Sequence, residues 1–226
     1  MTVTEGLAAT RARIARAALA SGRDPAQIKL VAVSKTKPLE SIREAYAAGQ
    51  RAFGENYAQE LETKALALAD LPDLEWHFIG HLQTNKAKLV ARSAHFVHTV
   101  DGESLARELG RRAASAGRVL PVLIEVNVGG EPQKHGAAPS EIEEVARAIA
   151  AQPALALRGL MTVPPDEPEA ARRAFETLAS LRSLHGGAAR LPELSMGMSG
   201  DLELAIAAGA TLVRVGTAIF GARGAG

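Results

Sequence analysis

Eight short apolar runs alternate with stretches of helical periodicity from Lys29 onward, and that alternation constrains the fold more than any single motif. The strand candidates are residues 30–34, 51–54, 75–80, 96–100, 119–128, 155–163, 194–197 and 212–215. They recur roughly every 26 residues, the span of one βα unit. Between them, apolar residues fall at helical spacing, as in Leu39, Ile42, Ala45, Tyr46 and in Leu105, Leu109, Ala113. Ala48-Gly49, Leu109-Gly110 and Ala208-Gly209 read as helix stops. Ser140, with Glu143 three residues later, reads as a capping box.

A strand–helix unit repeated eight times predicts an α/β protein, a single-domain (β/α)8 TIM barrel. An open doubly wound sheet is the competing reading. It usually stops at fewer strands, and its first βα turn often carries a glycine-rich fingerprint. Here that turn is Ser34-Lys35-Thr36-Lys37-Pro38, without glycine. Residues 1–28 supply an extra N-terminal amphipathic helix, and residues 29–221 form the barrel. The strongest break, Pro164-Pro165-Asp166-Glu167-Pro168, reads as one βα loop rather than a linker.

The 226 residues suffice for one large domain with a buried core. The net charge of +1 provides no field for nucleic acid or an anionic membrane, and with 4% aromatics there is little for bases to stack on. There is no cysteine, which excludes disulfides and thiolate chemistry and suits a reducing compartment. No apolar run is long enough to span a bilayer, and the N-terminal stretch has no apolar signal region. The expectation is a cytoplasmic monomer without membrane or nucleic-acid partners. No His pair has the helical spacing of a metalloprotease, so no metal is expected.

A barrel places its chemistry just after the strands. The first strand runs into Lys35. A lysine partly withdrawn from water is a better amine nucleophile, suited to a Schiff base with a carbonyl compound or with pyridoxal phosphate. The plainer alternative is a surface lysine beyond a strand end. Val31, Val33 and Lys35 share one face, which aims Lys35 into the barrel mouth. After the seventh strand, Gly197-Met198-Ser199-Gly200-Asp201 forms a glycine-rich turn. After the eighth, Val215-Gly216-Thr217-Ala218 forms a second. These loops make the recurrent phosphate corner of this fold. The alternative is that the glycines serve tight turns only and that Asp201 or Ser199 caps a helix. Arg214, in the eighth strand, suits a pyridine nitrogen, which a permanently charged guanidinium keeps unprotonated. A salt bridge at the barrel mouth is its structural alternative. Trp76 reads as core.

The ordered motifs VAVSKTKP (31–38), FGENY (53–57), WHFIGHLQTNK (76–86), RGLM (158–161), LSMGMSGD (194–201) and VRVGTAIFG (213–221) resemble those of the YggS/PROSC family, the pyridoxal-phosphate homeostasis proteins. The resemblance covers nearly the whole chain. It implies a barrel like the N-terminal domain of alanine racemase and pyridoxal 5′-phosphate as cofactor. Lys35 then matches the cofactor lysine, Ser199, Gly216 and Thr217 the phosphate-holding positions, Arg214 the arginine facing the pyridine nitrogen, and Asn56 a residue at the cofactor's edge. The segment Asn127-Val128-Gly129-Gly130-Glu131 departs slightly from the family wording, while Lys134 and Gly136 stay in place.

The implied function is a non-catalytic carrier or buffer of pyridoxal phosphate, held as a Schiff base on Lys35, that affects amino-acid and keto-acid balance. Apo-enzymes that use the cofactor would be its recipients. Racemases of this barrel take a second base from an added domain. This chain is expected to lack that domain, and Tyr57 is the remaining tyrosine near the mouth. Two alternatives stay open: a pyridoxal-phosphate racemase or lyase, and a cofactor-free Schiff-base aldolase. Lys37 is a possible secondary amine.

Overall fold

The computed structural model of the chain describes residues 2–222. Eight parallel strands close in sequence order, with β1 (Lys29–Val33) hydrogen-bonded to β8 (Leu212–Val215). Between them lie β2 (Ala52–Glu55), β3 (Glu75–Phe78), β4 (Phe96–Val100), β5 (Leu120–Glu125), β6 (Leu155–Met161) and β7 (Glu193–Ser195). The barrel expected from the periodicity is therefore formed. Several strands stop earlier than their apolar runs. Residues 79–80, 126–128 and 196–197 lie beyond the strand ends and lead into the mouth loops.

The helices are α1 (Val3–Ala20), α2 (Leu39–Ala47), α3 (Ala58–Ala67), α4 (Ala87–Ser93), α5 (Glu103–Ser115), α6 (Ile142–Ala150), α7 (Pro168–Leu184), α8 (Gly187–Arg190), α9 (Leu202–Ala207) and α10 (Thr217–Phe220). The extra helix α1 packs on α9, α10 and α2, and Arg13 binds Glu203 on α9 through two hydrogen bonds of 2.8 and 2.9 Å. None of the described helices is long and apolar enough to cross a membrane.

Two expected boundaries are corrected. Gly110 does not stop a helix; α5 runs through it to Ser115. A Cβ at Gly110 would lie 2.7 Å from Gln152 Cβ, so glycine serves close packing there. Gly117, at φ +65°, follows the true end. Ser140 does not cap α6 either. Pro139 opens a short 3-10 turn, and Glu141 Oε2 accepts the Ala138 N–H at 2.7 Å. Glu143 instead binds His185 and Arg190.

The main core lies between the barrel and its helices. In α6, for example, Ile142, Val145, Ala146 and Ile149 are buried at i, i+3, i+4, i+7. Inside the barrel a smaller apolar cluster contains Val31, Ala52, Leu123, Met161 and Leu212, with Phe96 against it. Several other inward positions are polar. Phe96 touches the rings of both His77 and His98, and a hydrogen bond between His98 on β4 and Ser195 on β7 crosses the interior. Burying polar groups is unfavourable unless each finds a partner, so this interior marks where function overrides packing.

Candidate functional site

The chain past β1 makes a tight turn, with the Lys37 N–H donating to Ser34 O at 3.0 Å. At its centre Thr36 has φ +61°, the left-handed region that a β-branched residue avoids. Such a conformation costs on the order of 1–3 kcal/mol and persists only where surroundings over-determine it. Those surroundings are visible. Thr36 N–H donates to Glu60 Oε1 at 2.6 Å. Lys64 Nζ lies 2.7 Å from the same carboxylate oxygen. Lys64 also donates to Ser34 O at 2.7 Å and to Glu55 Oε1 at 2.8 Å, and Ser34 Oγ donates to Glu55 Oε1 at 2.6 Å. Ser34, Glu55 and Lys64 are all buried. Burial raises the Glu55 pKa, against the pull of Lys64 and Ser34. Lys35 is thus flanked on both sides by anchored backbone.

Lys35 lines a mouth pocket of about 380 Å³ together with Val33, Lys37, Asn56, Ile79 and Val163; Met198, Ser199, Gly200, Arg214, Gly216, Thr217 and Gly221 complete the lining. All six residues singled out from the sequence, Lys35, Asn56, Ser199, Arg214, Gly216 and Thr217, line this one pocket. Its volume suits a small organic ligand. Lys37 also lines it, but its ammonium donates to the carbonyl oxygens of Phe220, Gly221 and Ala222 at 3.0, 3.1 and 2.9 Å. It clamps the segment after α10.

Asn56 follows β2, and its side-chain oxygen Oδ1 is buried without a hydrogen-bond partner among the described residues. Its backbone is held close to Gly80, where a Cβ would fall 2.1 Å from Asn56 O. The turn after β7 begins at Gly197, at φ +93°. There Asp201 Oδ1 accepts the Met198 N–H at 2.6 Å, so Asp201 rather than Ser199 ties the turn. Arg214 N–H donates to Gly197 O at 2.9 Å and couples this turn to β8. Among the described residues, the backbone N–H groups of Ser199, Gly200 and Gly216 meet no acceptor. Together with the Ser199 and Thr217 hydroxyls they suit an anion.

Arg214 is 4% exposed. It forms no salt bridge among the described residues. Nη1 donates to Ser195 Oγ at 2.6 Å and Nη2 to Thr162 O at 2.9 Å. Burial lowers its pKa to about 10, with Glu125 and Asp201 opposing, so it is charged at neutral pH. Behind it, Ser195 Oγ lies 2.9 Å from His98 Nδ1, and His98 Nε2 lies 2.9 Å from His77 Nδ1. Burial lowers the pKa of both histidines.

Two constellations escaped the sequence reading. Glu60 and Lys64 have the spacing of an exposed helical ion pair, and nothing local signals that Lys64 turns inward. His77, His98 and Ser195 lie on three strands and meet only when the barrel closes. Tyr57, 57% exposed at the head of α3, is absent from the pocket lining. His81 stacks on His135 with ring centroids 3.6 Å apart, and no group of three or more potential metal ligands exists among the described residues.

Residues 7–224 match the family model of the alanine racemase N-terminal domain. The chain is 50% identical to the pyridoxal phosphate homeostasis protein of Pseudomonas aeruginosa, over 98% of this chain and 96% of that one. The solved structure of PipY from Synechococcus elongatus with PLP bound is 37% identical, with TM-score 0.82, over 97% of this chain and all of that one. Alanine racemase from Corynebacterium glutamicum, at 22% identity and TM-score 0.69 over 98% of this chain and 62% of that one, shares the fold. The chain belongs to the pyridoxal phosphate homeostasis protein family, built on the alanine racemase N-terminal domain.

Proposed function

We propose that this chain binds pyridoxal 5′-phosphate in the mouth pocket, holds it through Lys35, and serves as a carrier for apo-enzymes that use it. The observation that carries this reading is the lining itself. One pocket combines an amine, a charged arginine, an unpartnered amide oxygen and two glycine turns with hydroxyls. When bound, the cofactor supplies an aldehyde that condenses with a primary amine and a ring able to draw electrons from the new bond. Lys35, which follows β1 and lines the pocket, provides the amine, and Lys37 clamps the segment after α10. Ser199, Gly216 and Thr217 bind the phosphate. Asn56 meets a ring substituent at the cofactor's edge.

Arg214 faces the ring nitrogen. Its charge persists at neutral pH, so it donates a hydrogen bond without surrendering a proton and leaves the ring a weak electron sink. Among its described residues the lining holds no carboxylate, histidine or tyrosine that could move a proton on the opposite face. Both features support holding and release over racemase or lyase turnover.

The test is the visible spectrum of the purified protein with added pyridoxal phosphate, before and after borohydride, beside Lys35→Ala. The expected result is a visible band that borohydride bleaches and Lys35→Ala lacks. A protein that stays colourless with added cofactor would overturn the reading and favour a cofactor-free aldolase. Racemisation of a small amino acid that depends on Tyr57 would overturn the carrier assignment.

A further inference from the structure

Arg214 is the pocket end of a chain of polar contacts that crosses the barrel, hydrogen-bonded as far as His77 and closed by a longer electrostatic contact to Glu75. From mouth to floor it runs Arg214, Ser195, His98, His77, Glu75. The contacts are Nη1 to Oγ at 2.6 Å, Oγ to Nδ1 at 2.9 Å, Nε2 to Nδ1 at 2.9 Å, and His77 Nε2 to Glu75 Oε2 at 3.6 Å. Ser195, His77 and His98 are at most 1% exposed. Glu75, the first residue of β3, lies at the opposite barrel end, where Lys29 Nζ donates to it at 2.8 Å.

The direction of every proton in this chain follows by elimination. Burial keeps both histidines neutral, so each ring carries one N–H. Arg214 can only donate, so Ser195 Oγ accepts from it. Among the described residues the Ser195 hydroxyl then has one acceptor for its own proton, His98 Nδ1. That puts the His98 proton on Nε2, which donates to His77 Nδ1. The His77 proton is then on Nε2, facing the Glu75 carboxylate. The reverse arrangement fails at both ends. It leaves the buried serine proton without an acceptor and turns a bare His77 nitrogen lone pair toward an anion. Each end of the chain therefore favours the same tautomers, and the preference is full only while both ends act together.

We propose that Glu75, His77, His98 and Ser195 are a positioning relay, in which the Glu75 carboxylate at the barrel floor selects the histidine tautomers that present Ser195 Oγ to Arg214 and so fix its guanidinium in the pocket. The consequence for cofactor binding rests on the function proposed above. The relay itself is a property of the protein alone. Altering the charge at Glu75 removes one of the two selections, leaves the Ser195 end alone to hold the tautomers, and so loosens an arginine on the far side of the barrel. The charged groups facing the chain are Glu75, Lys29 and Glu193 around His77, and Lys29 and Arg214 around His98.

The experiment is ¹⁵N NMR of the histidine rings in the cofactor-free, full-length protein, followed by titration with pyridoxal phosphate. Wild type, Glu75→Gln, Lys29→Met and Ser195→Ala are compared. Wild type should carry the proton on Nε2 of both His77 and His98. Lys29→Met, which keeps the carboxylate, should preserve this state. Glu75→Gln should give mixed tautomers and faster exchange of the Arg214 Nε proton with water. Ser195→Ala should weaken pyridoxal phosphate binding about tenfold, the loss of one hydrogen bond to a charged group. A wild-type His98 protonated on Nδ1, or tautomers indifferent to Glu75→Gln, would overturn the relay. Expected tautomers in a wild type that does not bind pyridoxal phosphate would instead overturn the functional reading.

Discussion

Replacing Glu125 with glutamine should remove a pH dependence that burial builds into this barrel. Glu125 ends β5 at 7% exposure, and its Oε2 has no partner among the described residues. Desolvation first, and then Asp101, push its carboxyl up to about 7 against the pull of Arg214, whereas its ordinary value is 4.5. The unfolded chain thus releases this proton at lower pH than the folded one. Between pH 4.5 and about 7 the folded state holds the extra proton, and stability falls as pH rises. The contribution is complete below the lower value and gone above the upper one. At about 1.4 kcal/mol per pH unit, the window amounts to roughly 3 kcal/mol. Equilibrium urea unfolding of both proteins, from about pH 4.5 to about pH 8, measures it. The stability of Glu125→Gln relative to wild type should climb by roughly 3 kcal/mol across the window and level off above it. The other groups titrate in both proteins and cancel. A difference that stays flat, or that grows only above pH 7, would refute the claim that this carboxyl is buried and protonated in the folded state.

Two further predictions concern the site. Lys64→Met leaves the buried Glu55 carboxylate without its cation and Thr36 without a fixed Glu60, so it should cost about 3–5 kcal/mol in urea unfolding. Glu55→Gln in the same chain should recover part of that loss, because the uncompensated charge is gone. Ser199→Ala and Thr217→Val should each weaken pyridoxal phosphate binding by about tenfold or more, and leave binding of phosphate-free pyridoxal unchanged. Equal losses for both ligands, read by absorbance titration, would remove the phosphate from that corner.

Why some of this was readable from the residues and some was not follows from the range of each interaction. Strand–helix alternation is local, and so is strand parity, which points Val31, Val33 and Lys35 the same way. Eight such units can close in few ways, so the barrel was legible. Mouth loops were legible for the same reason, because a barrel exposes the residue after each strand wherever the chain leaves the ladder. At Gly110 a local signal is overruled by a neighbour distant in sequence, Gln152, which packs on it; at Ser140 the adjacent Pro139, a stronger local signal, starts a 3-10 turn one residue earlier.

The residues behind the pocket obey a different logic. Lys64 looks like a solvated partner of Glu60, and only the tertiary fold turns it under Ser34 and Glu55. His77 and His98 occupy inward positions by parity, but their meaning depends on Ser195, which lies 97 residues beyond His98 and across the barrel. A pocket residue such as Arg214 can be proposed from its type and place. What holds it cannot, because each supporting group is an ordinary residue whose role comes from the few ångströms that closure of the barrel establishes. The lining announces which ligand chemistry is available. The buried network behind it, through Ser34, Glu55 and Lys64 on one side and Ser195, His98 and His77 on the other, determines whether Lys35 and Arg214 stay in place to use it.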